Sequence, residues 1–312
     1  MLKNKTLVGF FLVFFGAVFF STKAILVKLA YQHPIDPISL LTLRMVFSLP
    51  FFIIIGVVSG KKKDAGSMSG ASWGKIFLLG IIGYYLASLF DFQGLLYITA
   101  GLERLILFVY PTIVVVISAI YYKQSIKRNQ YIALVLTYIG IFVVFAFDAN
   151  LQGQKNVVKG ALLIFGSAFT YAMYLFGSGR MIPQVGTLRF TAYAMSFSAL
   201  GVIIHAYAVN GLRIWDFPST VYMLALVMAL ISTVLPSFLI SGGIRYIGSD
   251  NASIVASVGP ISTIILANIF LGEIITISQM AGTFFVLLGV IMITIKTPLR
   301  INPLKMMSRK SQ

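Results

Sequence analysis

The chain has 312 residues, 59% of them hydrophobic and 10% charged, with 14% aromatic residues and 27 glycines. A soluble domain carries about 25% charged residues, so the composition excludes a water-facing globular fold and points to an all-α integral membrane protein, a class enriched in Gly, Trp and Tyr. The net charge of +16 would suit nucleic acid in a soluble protein, whereas the lack of cysteine excludes disulfides, thiolate nucleophiles and Cys–metal sites.

A helix that crosses a bilayer needs about 20 mostly apolar residues. The first span is expected at 7–30. Lys3 and Lys5 before the Leu7–Phe20 run resemble a cleaved leader, but the run continues past Lys23 to Ala30 with no small-x-small site to close it. The second span, 37–58, carries Arg44, and the third, 75–98, carries Tyr84, Ser88 and Asp91 on one face. Only Thr99–Gly101 separates it from the fourth, 102–122, which begins with Glu103-Arg104 and contains Pro111. The fifth (129–148) and tenth (277–296) have few polar residues in their middles and are expected at the periphery, against lipid or a second subunit. In the sixth, 158–178, Ser167, Thr170, Tyr171, Tyr174 and Ser178 fall on one helix face. The seventh is placed at 187–208. The eighth, 219–242, carries Thr233, Pro236, Ser237 and Ser241, and the ninth, 251–271, carries Pro260.

Ten spans put both termini on one side. That side collects Lys3, Lys5, Lys61, Lys62, Lys63, Lys75, Lys123, Lys127, Arg128, Arg180 and Arg245, together with the tail's Lys296, Arg300, Lys305, Arg309 and Lys310. The other side holds little beyond Lys28, Arg104, Lys155, Lys159 and Arg213. Positive charge marks the cytoplasmic face, so both termini are expected in the cytoplasm, with the chain in the inner (plasma) membrane. The basic charge then reads as a topology signal rather than a nucleic-acid surface, strengthened at the tail by anionic lipid.

The sequence also repeats itself. Gly94-Leu95-Leu96-Tyr97-Ile98 recurs 149 residues later as Gly243-Ile244-Arg245-Tyr246-Ile247, and the same offset joins Pro111 to Pro260, Ile126 to Ile275, Gln130 to Gln279 and Gly140 to Gly289. Phe15-Gly16-Ala17-Val18-Phe19 aligns with Phe165-Gly166-Ser167-Ala168-Phe169, and Thr42-Leu43-Arg44 with Thr187-Leu188-Arg189. The expected organisation is a first five-helix unit at 1–148, a second at 149–297 and a basic tail at 298–312. Five is odd, so the second unit should be inverted in the membrane. Inverted repeats that rock about a midplane site are a common plan of secondary transporters.

These residues resemble the EamA-type transporters of the drug/metabolite transporter superfamily over about residues 7–296. The resemblance is carried by Lys23 late in the first helix, Arg44 in the second, the proline-centred fourth and ninth helices, and Ala252 to Pro260 followed by Leu271-Gly272-Glu273. The first half departs from that last motif with Tyr122-Lys123-Gln124. The resemblance implies a ten-helix fold with helices five and ten peripheral. It also implies export or exchange of amino acids, drugs, nucleotide sugars or other metabolites, and fixes the fold better than the substrate.

Charges inside spans cost about 2.5–3.5 kcal/mol on insertion scales and mark functional positions. Lys23, Arg44, Asp91 and Glu103-Arg104 all fall in the outer half under this topology. The second repeat mirrors only Arg44, as Arg189; Met173 and Ile240 stand opposite Lys23 and Asp91. Asp91 is expected to pair with Lys23 or Arg44, either as a switch opened by substrate or proton or as a permanent structural lock. Glu103 and Arg104 are expected either to touch substrate or to snorkel to the outer interface. The stripe Ser167, Thr170, Tyr171 and Tyr174, joined by Ser237, lines a cavity or packs between helices, and Pro111, Pro236 and Pro260 should kink their helices.

An enzyme is disfavoured. The chain has two histidines, His33 and His205, near span ends, and no HExxH, G-x-S-x-G or P-loop motif. No metal or other cofactor is expected. The reading is a secondary transporter, monomer or homodimer, that exports amino acids or related small metabolites by alternating access. A channel or facilitator and a multidrug efflux protein are the alternatives. The excess of fixed cation argues against a wholly cationic drug.

Overall fold

A computed structural model describes residues 2–60, 68–123, 128–147, 155–211, 214–256 and 258–295. Lys61, Lys62, Lys63, Ile126, Lys127, Arg213 and the tail from Lys296 onward lie outside these residues, as do the side chains of Lys3, Lys5, Gln130 and Asp250.

Among the described residues the chain is helical and contains no strand. The first four helices are α1 (Leu2–Ala30), α2 (Pro37–Gly60), α3 (Gly70–Gly94) and α4 (Ala100–Tyr121). They are followed by α5 (Arg128–Phe147), α6 (Val157–Val185) and α7 (Thr187–Asn210). α8 starts at Ser219 and ends with the segment Leu235–Val255; α9 (Val258–Leu271) and α10 (Ile277–Ile295) follow as the last described helices. Seven helices, α1 to α4 and α6 to α8, are long and apolar enough to cross a membrane, whereas α5, α9 and α10 contain shorter apolar stretches. Large apolar side chains such as Phe11, Phe15, Ile54, Val58, Leu78, Leu162 and Ile204 are exposed. Helices satisfy their backbone polar groups internally, which is what a hydrocarbon solvent demands.

Helix starts follow from local chemistry. Asp36 Oδ1 accepts hydrogen bonds from the backbone N–H groups of Ile38 and Ser39 ahead of α2. Ser69 caps α3, and Thr99 Oγ1 accepts from Leu102 N–H at the start of α4. The connection expected at Thr99–Gly101 is therefore longer: α3 ends at Gly94, and a turn through Leu95–Ile98 precedes the cap.

Lipid tails are as apolar as Leu, so helices gain association from close packing, which small residues allow. α1 packs along α8, and α3 along α6; α2 packs against α7, and α5 against α10. In the first pair, Gly9 of α1 faces Gly243 of α8. In the second, Gly94 of α3 faces Gly160 of α6. α5 and α10 cross where Gly140 meets Gly282.

Two further features recur at one spacing. π-helical segments lie at Ile81–Leu86 in α3 and Leu230–Val234 in α8, both starts separated by 149 residues. α4 is interrupted by a turn at Phe108–Val109 just before Pro111, and the chain likewise leaves α8 at Val255 and resumes as α9 at Val258, two residues before Pro260. Pro236 follows the second π segment, where Thr233 Oγ1 donates to Met228 O and Ser237 Oγ to Thr233 O.

The glycine crossings give a paired test in adjacent positions. A Cβ on Gly243 would collide with Val13 Cγ2 and lie 2.9 Å from Gly9 O, whereas one on Gly242 would meet only Leu12 Cδ1 at 3.7 Å. Gly243→Ala should lower the thermal midpoint of the purified protein, with overpacking costing about 1–3 kcal/mol. Gly242→Ala should hold or raise it, since Ala is the better helix former by about 1 kcal/mol. Equal midpoints would remove the crossing from the stability account.

Candidate functional site

The buried charge gathers around α3. Lys23 Nζ of α1 lies 2.7 Å from Asp91 Oδ2 and 3.3 Å from Glu103 Oε1, and all three side chains are buried. One ammonium thus joins α1, α3 and α4. One turn before Asp91, Ser88 Oγ accepts a 2.8 Å hydrogen bond from Arg44 Nη2 of α2, whose guanidinium lies 4.7 Å from the Phe92 ring. Arg104 does not snorkel. It is 7% exposed, its guanidinium sits 5.4 Å from the Phe20 ring, and its Nη2 donates to Ser21 Oγ at 3.4 Å. Ser21 Oγ is also within hydrogen-bonding distance of Gly259 O, and a Cβ on Gly259 would lie 2.7 Å from Arg104 Nη2. A glycine before Pro260 is what gives this arginine room.

These groups border a cavity of about 740 Å³, counting the open solvent at its mouth. The first half of the chain contributes Phe20, Lys23, Arg44, Tyr84, Ser88, Asp91, Arg104 and Tyr110. The second half contributes Ser167, Tyr171, Ser232, Thr233, Ser237 and Ile240. Both π segments reach the wall, through Gly83-Tyr84 and Ser232-Thr233; such segments widen a helix and recur at functional sites. Tyr84, Tyr171 and Tyr174 pack edge to face or stacked, with ring centroids 4.8–6.4 Å apart. Gly83 lets the Tyr174 ring lie directly on α3.

Of the residues marked in the sequence, Lys23, Arg44, Tyr84, Ser88, Asp91, Ser167, Tyr171 and Ser237 line this cavity. Glu103 stands behind it, fully buried, and meets it through Lys23. Thr170 does not take part: its hydroxyl donates to the Gly166 and Ser167 carbonyls of its own helix. Tyr174 lines a smaller neighbouring hollow with Tyr84, Tyr171, Ser178 and Ser241. Pro111 stands at the first turn of the segment after the α4 interruption, one residue past the cavity-lining Tyr110. The sequence reading missed Phe20, Tyr110 and Ser232 as cavity residues; an aromatic three positions before a buried lysine was the available signal for Phe20.

At the far end of α3 and α4 the helix termini meet complementary charge. Lys28 Nζ donates to Leu95 O, and Tyr31 Oη to Phe92 O, at the end of α3. Glu273 accepts from the N–H groups of Ala100 and Gly101 at the start of α4, at 2.9 and 3.2 Å. A carboxylate at a helix N-terminus and an ammonium at a C-terminus each gain from the helix dipole. Among the described residues no cluster of three or more acidic or His side chains fit to hold a metal occurs.

The EamA-like transporter family matches the chain twice, at residues 7–146 and 158–295. The chain belongs to this family. Its sequence is similar to the uncharacterized transporter YcbK of Bacillus subtilis (strain 168), at 30% identity over 289 residues, 90% of this chain and 92% of the relative. It is also similar to the uncharacterized inner membrane transporter YicL of Salmonella typhimurium, at 29% identity over 200 residues, 63% of this chain and 64% of the relative. A solved crystal structure shares the fold, with a TM-score of 0.65 at 15% identity, covering 94% of this chain and 96% of that chain. This EamA-like protein is thus a multi-pass membrane transporter.

Two substitutions test the electrostatic framework of the EamA-like bundle. Lys23→Met leaves two carboxylates facing each other in the interior, and breaking a buried pair costs about 3–5 kcal/mol. Its yield and thermal midpoint should fall sharply and recover when Asp91→Asn and Glu103→Gln are added to the same chain. Glu273→Ala, far from the cavity, should cost about 1 kcal/mol through the lost cap, read as a modest drop in midpoint with Lys23–Asp91 contacts intact.

Proposed function

We propose that this protein is a secondary transporter of the inner (plasma) membrane, exporting amino acids or related small metabolites by alternating access. The two family matches correspond in this reading to five-helix units of opposite orientation, 1–148 and 149–297, with both termini in the cytoplasm. The observation that carries the reading is a cavity walled by both units, charged on the first and hydroxylated on the second. A site shared by two units opens to alternate sides when one rocks against the other. The recurrent glycine crossings, π segments and breaks before Pro111 and Pro260 support the internal symmetry.

The smaller hollow beyond the tyrosines, bordered by Ser178, Ile182, Ser241 and Ile244, supports an access route. The charge-derived topology puts it on the cytoplasmic side. Coupling is assigned to Lys23, Asp91 and Glu103, with Arg44 and Arg104 as the neighbouring charges: a proton or a solute group that takes one carboxylate from Lys23 frees α1 from α3 or α4. The excess of cation in the cavity speaks against efflux of cationic drugs.

Uptake into proteoliposomes from a pooled metabolite panel, with and without a pH gradient, tests this function. Saturable flux and counter-transport are expected; flux that neither saturates nor exchanges would make the protein a channel. Asp91→Asn should retain folded yield and lose gradient-driven flux at least tenfold, about 1.4 kcal/mol. An Asp91→Asn protein that transports normally takes Asp91 out of the mechanism.

A further inference from the structure

The charge lining the cavity does not cancel. Lys23, Arg44 and Arg104 line it against one lining carboxylate, Asp91, with Glu103 behind the wall, and both carboxylates are engaged by the Lys23 ammonium. Among the described residues no carboxylate lies within 4.0 Å of either guanidinium. Among the described residues Arg44 gives one side-chain hydrogen bond, to Ser88, and Arg104 one long one, to Ser21, and the buried Nε of each has no hydrogen-bond partner there. Two buried guanidiniums in a bilayer-spanning bundle without acidic partners are costly. Both line the cavity, and both are held by an aromatic ring, Phe92 for Arg44 and Phe20 for Arg104. A guanidinium supported in this way can still offer the planar N–H edge that matches the two oxygens of a carboxylate.

Resting on the reading of this cavity as the substrate site, we infer that the transported solute is a small anionic organic acid, its carboxylate bound by Arg44 and Arg104. A carboxylate offsets part of the excess of cation at the wall, and the N-acylated amino acids among the metabolites proposed above carry one without a free amine. The body of the acid lies against Tyr84, Tyr110 and Tyr171, rings that accept an apolar or amide-bearing group without adding charge.

Calorimetric binding to the full chain in nanodiscs tests this with a panel of N-acetylated amino acids, each paired with its carboxamide. At least one acid should bind tenfold or more tightly than its amide. Arg44→Gln and Arg104→Gln should collapse that ratio toward one by weakening the acid alone. Arg44→Lys and Arg104→Lys, which keep the charge, should keep part of it, and Arg180→Gln, an equal charge change at a half-buried site outside the cavity, should keep all of it. Monodisperse elution of each variant guards against misfolding. The inference is overturned by a ratio near one in the unsubstituted protein, by losses equal for acid and amide, or by inorganic phosphate competing as well as the acid. Flux of the same panel in proteoliposomes separates the two levels. Transport of neutral or cationic solutes alone sinks the acid and keeps the transporter, whereas acid binding with no flux of any solute sinks the transporter.

Discussion

An ammonium buried among apolar helices has to find its counter-charge inside the protein, and Lys23 sets the geometry of the first half of the chain by doing so. Its partners come from two helices, Asp91 from α3 and Glu103 from α4. The α3–α4 hairpin is therefore pinned to α1 at the level of the cavity. The same hairpin is pinned again where its helices turn, by Lys28 and Tyr31 on the α3 carbonyls and Glu273 on the α4 amides. Glu273 comes from just beyond α9, so the second anchor ties the two halves together. A motion that separates the halves has to release the Glu273 caps, whereas the Lys23 cluster lies within the first half and holds α1 to its hairpin.

Between these charged points the bundle is held by shape. Oily side chains gain little by meeting one another in a bilayer, and the chain answers with glycines where helices cross. Gly9 against Gly243 and Gly94 against Gly160 bring backbones together on opposite sides of the cavity. The π segments have the reverse effect. Each displaces its helix by part of a turn, and each does so where the wall must open. Close crossings at the ends and widened turns in the middle leave space at the centre of an otherwise tightly packed bundle.

Much of this was legible in the sequence because membrane physics leaves few alternatives. Apolar length located the helices. The cost of burying Lys23, Arg44 and Asp91 marked them as candidate site residues before any contact was known, and all three border the cavity. The direction in which a side chain points was harder to read. Arg104 sits near the start of α4, where a long basic side chain ordinarily reaches for water; its inward course depends on room left by Gly259, 155 residues away in sequence. Thr170 shares a helical face with Tyr171 and Tyr174, yet a threonine on a helix bonds its own preceding carbonyls, and periodicity carries no trace of that choice. The cap from Glu273 was also beyond reach, because a helix N-terminus advertises its need for an acceptor without naming one so remote in sequence.

The two halves share backbone features and differ in chemistry, and the energetics of burial give a reason. A second copy of the Lys23–Asp91–Glu103 cluster would double the desolvation cost in one small interior. At the positions that repeat Lys23 and Asp91 the chain instead has Met173 and Ile240. Met173 is partly exposed, whereas Ile240 joins Ser232, Thr233 and Ser237 on the wall facing the charges. The cavity is consequently amphipathic across its width, ionic on one wall and hydroxylated or apolar on the other. A solute with one charged end and one uncharged end meets favourable surroundings at both, and orients itself without further contacts. Specialisation of one repeat for charge thus gives the cavity a direction that two identical halves could not provide.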